Sequence, residues 1–183
     1  MQEGMTGAQQ GTILPDELVS LARRVIEANI SLGRRVVVAE SCTGGLVSAA
    51  LTEIPGSSAV FDAGFVTYSN DQKKSILGVS QDVLDTFGAV SIATAWAMAQ
   101  GALERSGADI AVSITGVAGP DGGTEMKPVG TVVFARAEKG NDSENVVADL
   151  RRFPDEGRAK IRLQAALCAL ELLLPDEPEA DDA

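Results

Sequence analysis

The chain has 183 residues, is 45% hydrophobic and carries a formal charge of −11 with no histidine. That length and apolar fraction suit one domain with a sizeable core, and a net acidic chain repels the phosphate backbone of nucleic acids at long range. The lack of histidine excludes Ser-His-Asp and Cys-His catalysis within one chain and removes the side chain on which catalytic zinc sites usually rest. A hydrolase of this composition must take its base from a lysine, a carboxylate, a tyrosine or a water.

Residues 1–13 begin polar and small without periodicity and read as a disordered start. Leu14-Pro15-Asp16-Glu17 opens a helix, with Leu18, Leu21, Val25 and Ile26 on one stripe and Gly33 ending it. Arg35 to Ala39 is a short β-branched run, read as a strand buried on both faces. After Glu40-Ser41-Cys42-Thr43-Gly44-Gly45 the chain turns helical to Ile54, where Pro55-Gly56 stops it. Phe61 to Thr67 is a second strand, and two short helices follow, Asp71 to Leu77 and about Gln81 to Thr86. Ser91 caps a longer helix that runs past Leu103 to Gly107. Asp109 to Ile114 is the third strand, and a Gly- and Pro-rich loop runs from Thr115 to Pro128. Val129 to Ala137 and Asn145 to Phe153 read as a hairpin turning near Gly140-Asn141-Asp142. Glu156 to Leu174 is the last helix, and residues 175–183 are an acidic tail expected to be disordered.

Strands that alternate with helices, with a hairpin late in the chain, predict a single α/β domain over residues 14–174, a three-layer α/β/α sandwich with a mixed sheet. Cys42 and Cys168 stand far apart and in no metal spacing, which suits a reduced cytoplasmic chain. No apolar stretch reaches membrane-spanning length, so no membrane is expected as a partner. Association into a homo-oligomer is expected, and the apolar last helix permits it.

Three loops follow carboxyl ends of predicted strands, the edge at which open α/β sheets bind ligands. In Glu40 to Gly45, a hydroxyl at a strand-to-helix turn meets free N–H groups and the positive end of a helix, where an anion or oxyanion can be held. Ser41 or Thr43 as a plain helix cap explains the same residues, and spacing alone favours that. In Thr67 to Lys74, Tyr68, Ser69 and Asn70 suit a polar ligand, although Asn70 equally suits a cap. One of Lys73 and Lys74 turned inward would lose its proton more easily and serve a serine as base; two solvated surface lysines is the ordinary fate of such a pair. In Thr115 to Lys127, the glycines at 116, 119, 122 and 123 suit a cradle for phosphate or sugar, or a flexible loop. Arg151, Arg152, Arg158 and Arg162 form the one basic cluster, suited to phosphate or to pairing with Asp155 and Glu156.

Taken together, Ala39-Glu40-Ser41-Cys42-Thr43-Gly44-Gly45, Gly64 to Asn70 with Lys73, Gly88-Ala89-Val90-Ser91, Thr115 to Pro120, Lys127 to Val132 and Gly157-Arg158 with Arg162 resemble the C-terminal domain family of the competence/damage-inducible protein CinA. The resemblance covers roughly residues 15–174 in the expected order. It implies an α/β/α amidohydrolase that converts nicotinamide mononucleotide to nicotinate mononucleotide and ammonia in pyridine-nucleotide salvage, with no cofactor and no metal. On the matching positions Ser41 is the implied nucleophile and Lys73 the implied base, with Lys74 the rival. Tyr68, Thr115 and Arg158 are implied to bind or orient the substrate, with Arg152 the rival of Arg158. Thr43, Gly44, Gly45, Asn70, Gly116 and Gly119 join them as expected substrate contacts. The oxyanion hole is expected from backbone N–H groups near Gly44 or Gly116. The longer family members carry an N-terminal domain resembling molybdopterin-binding proteins, which this sequence is expected to lack, and Asp121 stands where a small residue is expected. The competing expectation is a non-catalytic nucleotide-binding or regulatory module linked to competence or damage response.

Overall fold

The computed structural model describes residues 11–140 and 146–176. Most of both expected disordered ends, and the tip of the expected hairpin at 141–145, lie outside the described residues. The first helix, α1 (Asp16–Leu32), has Asp16 and Glu17 in its first turn, where carboxylates complement the helix dipole. Its buried Leu18, Leu21, Ala22, Val25 and Ile26 recur at the three- and four-residue spacing of one helical face, and Gly33 closes it in the left-handed conformation. The chain then lays down β1 (Val36–Glu40), α2 (Leu46–Thr52), a 3-10 turn (Ser57–Ala59) and β2 (Phe61–Val66). Next come α3 (Asn70–Leu77), α4 (Gln81–Phe87), α5 (Ile92–Glu104) and β3 (Ile110–Gly116), and then β4 (Thr131–Glu138), β5 (Val147–Arg152) and α6 (Arg158–Leu172).

The strands form one five-stranded sheet in the order β2-β1-β3-β4-β5. β1 runs parallel to both neighbours, β4 antiparallel to β3, and β5 antiparallel to β4. This is the mixed-sheet α/β domain that the sequence pattern predicts. All five residues of β1 are buried, because helices cover both faces of this central strand. Val36, Val38, Ile110, Val112, Ile114, Val132 and Phe134 pack with α1, α2 and α6, while Val37, Ala39, Ala111, Val133, Ala135 and Ala137 pack with α3, α4 and α5. The second face is small-residued, and α5 answers it with Ala95, Ala99 and Ala102. Gly101 completes that close fit: a Cβ there would overlap the Leu77 carbonyl, so α3 seats against α5 only with glycine. Seating α3 this closely carries Lys73 to the strand ends.

Several element starts differ from expectation by one or two residues, and two of them fall at a glycine. β4 opens at Thr131 rather than Val129, because Gly130 takes φ 93 and lies too close to the Phe153 carbonyl for any side chain. α6 opens at Arg158 rather than Glu156, because Gly157 takes φ 93 and ψ 156, outside the helical region. The register sets Glu40 beside both Val66 and Ile114, so three parallel strands finish together at one edge of the sheet.

Candidate active site

Ser41 is the first residue past β1, and its N–H donates to Ile114 O at 2.9 Å, extending the β1–β3 ladder by one step. Gly44 and Gly45, at φ 59 and φ 92, then reverse the chain into α2. Into this turn reaches Lys73 from α3, only 1% exposed. Its Nζ donates to Ser41 Oγ at 3.0 Å, to Thr67 O at 2.9 Å and to Tyr68 O at 3.2 Å. Burial pushes the Lys73 amine below the ordinary lysine range. A neutral amine has two N–H groups and one lone pair, so in that form the two carbonyls keep the N–H groups and the contact to Ser41 reverses, the lone pair accepting the hydroxyl proton. Lys74 turns the other way and donates to Gln81 Oε1 at 2.6 Å.

The N-terminus of α2 is closed from within. Glu40, fully buried, accepts from the N–H groups of Gly45, Val47 and Ser48 at 3.0, 3.2 and 2.9 Å and from Ser48 Oγ at 2.7 Å. The cap is therefore this carboxylate, not Ser41 or Thr43. A fixed anion at the positive end of the helix also removes that end as a place for a ligand anion. The Gly44 N–H is likewise occupied, by Ser41 O at 3.1 Å, so it is not a free oxyanion donor. From the other side Arg162 holds the turn, with Nε on Cys42 O at 3.1 Å and Nη2 on Thr43 O at 2.7 Å.

Ser41 and Lys73 open on a cavity of about 170 Å³ whose wall includes Tyr68, Asn70, Thr115, Gly116 and Arg158, with Cys42, Ala89, Val90 and Ala118 completing it. Asn70 stands in this wall because Ser69, not Asn70, caps α3, its side chain accepting from Gln72 N. Thr115 Oγ1 donates to Ala89 O at 2.8 Å and so ties the loop before α5 to the end of β3. At the rim Arg158 donates from Nη1 to Gly119 O at 2.8 Å and from Nη2 to Tyr68 Oη at 3.0 Å, linking three segments. Thr43, Gly44, Gly45 and Gly119 do not line the cavity: they shape the turn behind Ser41 or anchor Arg158. Arg152 lies exposed on β5, away from this wall. Burial pushes the Cys42 thiol up to about 11, which leaves it protonated at neutral pH and a poor nucleophile beside Ser41.

Of two residues central to the geometry, Glu40 carried no role of its own in the sequence, and Arg162 entered only as a member of the basic cluster, not as the holder of the turn. Glu40 reads as the polar end of an apolar strand, and only the fold of the Gly44-Gly45 turn brings the helix donors onto it. Arg162 shares a helix face with Arg158, which is the signal that finds it. Among the described residues, no group of three or more His, Cys, Asp or Glu side chains is placed to hold a metal ion, and no helix is long and apolar enough to cross a membrane.

Fold and site together define a mixed-sheet α/β/α domain with a buried serine–lysine contact at the ends of its parallel strands. Residues 18–176 match the family model of the CinA C-terminal domain. The chain belongs to that family. It is 46% identical over 159 residues to the nicotinamide-nucleotide amidohydrolase PncC of Enterobacter agglomerans, covering 83% of this chain and 94% of that one. It spans only 25% of a relative from Symbiobacterium thermophilum, 59% identical over 108 residues, and 28% of a CinA-like protein from Chlorobium limicola, 53% identical over 123. Those alignments cover 59% and 67% of this chain. Among solved structures it is similar to the competence/damage inducible protein CihA of Agrobacterium tumefaciens, with TM-score 0.85 and 52% identity over 89% of this chain and 97% of that one. A CinA superfamily protein of Klebsiella pneumoniae aligns with TM-score 0.79 and 38% identity over 85% of this chain and 94% of that one.

Proposed function

We propose that the chain is a nicotinamide-nucleotide amidohydrolase that converts nicotinamide mononucleotide and water to nicotinate mononucleotide and ammonia. The observation that carries this reading is the 3.0 Å contact between Lys73 Nζ and Ser41 Oγ, in a small cavity where burial favours the neutral amine. The PncC relative, matched over nearly its whole length, supplies the substrate class.

Ser41 Oγ attacks the carboxamide carbon as Lys73 takes the hydroxyl proton. The oxyanion that forms needs a backbone donor. Ile114 turns its carbonyl to Ser41 on the β1 side, and alternate residues of a strand face the same neighbour, so the Gly116 N–H points to that side beyond the last paired residue. Gly116 is the donor we assign. Lys73, now an ammonium, returns the proton to the leaving nitrogen, ammonia departs, and an acyl-serine remains. Water then attacks the ester with Lys73 again as base, and the proton passes from Lys73 to Ser41 Oγ as nicotinate mononucleotide leaves. The cavity holds the ring and carboxamide, while Arg158, with two of its five N–H groups engaged by protein, turns the rest toward the 5′-phosphate at the rim.

The test is ammonia release from nicotinamide mononucleotide by the purified chain. Turnover by the wild type and its loss in Ser41→Ala support the reading. Substrate binding by calorimetry with no ammonia released would instead favour a nucleotide-binding module.

A further inference from the structure

Ser41 is held by its backbone on both sides. Its N–H donates to Ile114 O at 2.9 Å, and its carbonyl accepts from the Gly44 N–H at 3.1 Å. The first hold belongs to the sheet, but the second is only as firm as the turn that presents Gly44. That turn contains Gly44 and Gly45 at positive φ, and glycine has the widest choice of backbone conformation. Thr43 does not tie it down: the residue is buried, yet among the described residues its Oγ1 has no hydrogen-bond partner. Glu40 fixes the chain only from Gly45 onward. The segment between Ser41 and Gly45 is gripped by Arg162, reaching across from α6.

Arg162 donates from Nε to Cys42 O at 3.1 Å and from Nη2 to Thr43 O at 2.7 Å. A Cβ on Gly44 would stand 3.6 Å from the same Nη2, so the guanidinium packs directly on that glycine. In a planar trans peptide the C=O and the N–H point opposite ways. With its carbonyl drawn to Arg162, the Thr43–Gly44 peptide aims its N–H away from the guanidinium, and the acceptor it meets there is Ser41 O. Arg162 thus reaches the nucleophile through one peptide unit. The planar fork of an arginine suits two successive carbonyls, which a single ammonium cannot grip together. Among the described residues no carboxylate pairs with Arg162, and it does not line the catalytic cavity, so its work is on the turn and not on the substrate. We propose that Arg162 is a positioning residue for the amidohydrolase reaction, the reading on which this rests: it locks the Cys42-Thr43-Gly44 turn so that Ser41 Oγ stays 3.0 Å from Lys73 Nζ.

Ammonia release from nicotinamide mononucleotide by the full chain, together with amide hydrogen exchange, tests this. Arg162→Ala is expected to lower kcat by about 10- to 100-fold, the order of loss that follows a misplacement of about 1 Å, with KM little changed. Exchange at the Gly44 N–H should speed up while the amides of β1 keep their wild-type protection. Millimolar guanidinium should restore part of kcat in Arg162→Ala, and methylammonium at the same concentration should not. Arg162→Lys keeps the charge but grips one carbonyl at a time, so its kcat should fall between the two; it carries the test where Arg162→Ala does not fold. A wild-type kcat in Arg162→Ala overturns the proposal. So does a loss confined to KM, which would make Arg162 a substrate ligand, and so does a kcat loss that leaves Gly44 exchange unchanged. A wild type that releases no ammonia removes the amidohydrolase reading instead, and Gly44 exchange then still shows whether Arg162 holds the turn.

Discussion

Glu40 and Ser41 are adjacent in the chain and serve opposite sides of the same strand end. The Glu40 carboxylate accepts four hydrogen bonds from Gly45, Val47 and Ser48, while the Ser41 hydroxyl receives Lys73 Nζ at 3.0 Å. Alternation along an extended chain sends the two side chains apart, so one residue builds the turn that presents the other.

That arrangement predicts a large stability cost for Glu40→Ala. Three helix N–H groups and the Ser48 hydroxyl lose a charged acceptor in a buried place, and hydrogen bonds to charged groups contribute about 1.5–3 kcal/mol each, with shared partners less than additive. The expected loss is about 3 kcal/mol, read from the shift of the urea midpoint. Glu40→Gln keeps one acceptor oxygen but turns an NH₂ toward backbone donors, so it should fall between the two. Equal stability of wild type and Glu40→Ala would show that the cap contributes little.

Lys73→Met is expected to remove at least ~10²-fold of kcat, the lower range of general base catalysis, with KM little changed because the lysine faces the nucleophile. Lys74→Met, which loses only the contact to Gln81, should stay near wild type. The pair of variants decides between the two lysines, and the reverse pattern would move the base to Lys74.

The lowered amine of Lys73 gives the pH dependence its sign. Catalysis needs the neutral form, so kcat/KM should rise with pH and level off at an apparent pKa below the ordinary lysine value of 10.5. The same group links to folding. Between its folded pKa and 10.5 the unfolded chain binds more protons than the folded one, so stability rises with pH over that window. Lys73→Met should flatten this slope. Denaturant midpoints measured across the alkaline range for both proteins check it, and parallel curves would assign the slope to other groups.

Much of this site is legible in the chain because strand ends are. The Val36-Val37-Val38-Ala39 run marks a central strand, and the glycines after it mark a reversal, which together place Ser41 at the binding edge of a parallel sheet. The choice between Lys73 and Lys74 was also present as a helical period, since Lys73 shares a face with Leu77 and both are buried. Glu40 could not be read this way. A carboxylate ending an apolar strand looks like an exit to solvent, and its partners lie five to eight residues on, brought back only by left-handed Gly44 and Gly45. The assignment of Arg158 to the rim depends on how α6 crosses the sheet, which is a tertiary fact.

Tyr68 and Arg158 form the last pair with distinguishable outcomes. Tyr68→Phe removes the acceptor at 3.0 Å and leaves the guanidinium held only by Gly119 O. A lost hydrogen bond of about 1 kcal/mol corresponds to roughly fivefold, expected in KM rather than kcat because Tyr68 stands at the rim. Arg158→Lys keeps the charge but cannot hold Gly119, Tyr68 and a phosphate at once, since a single ammonium replaces a planar fork. Its expected loss is about 10- to 100-fold in kcat/KM. The contrast should shrink for nicotinamide riboside, which lacks the phosphate. If the riboside loses as much as the mononucleotide in Arg158→Lys, the arginine acts by bracing the rim and not by meeting the phosphate.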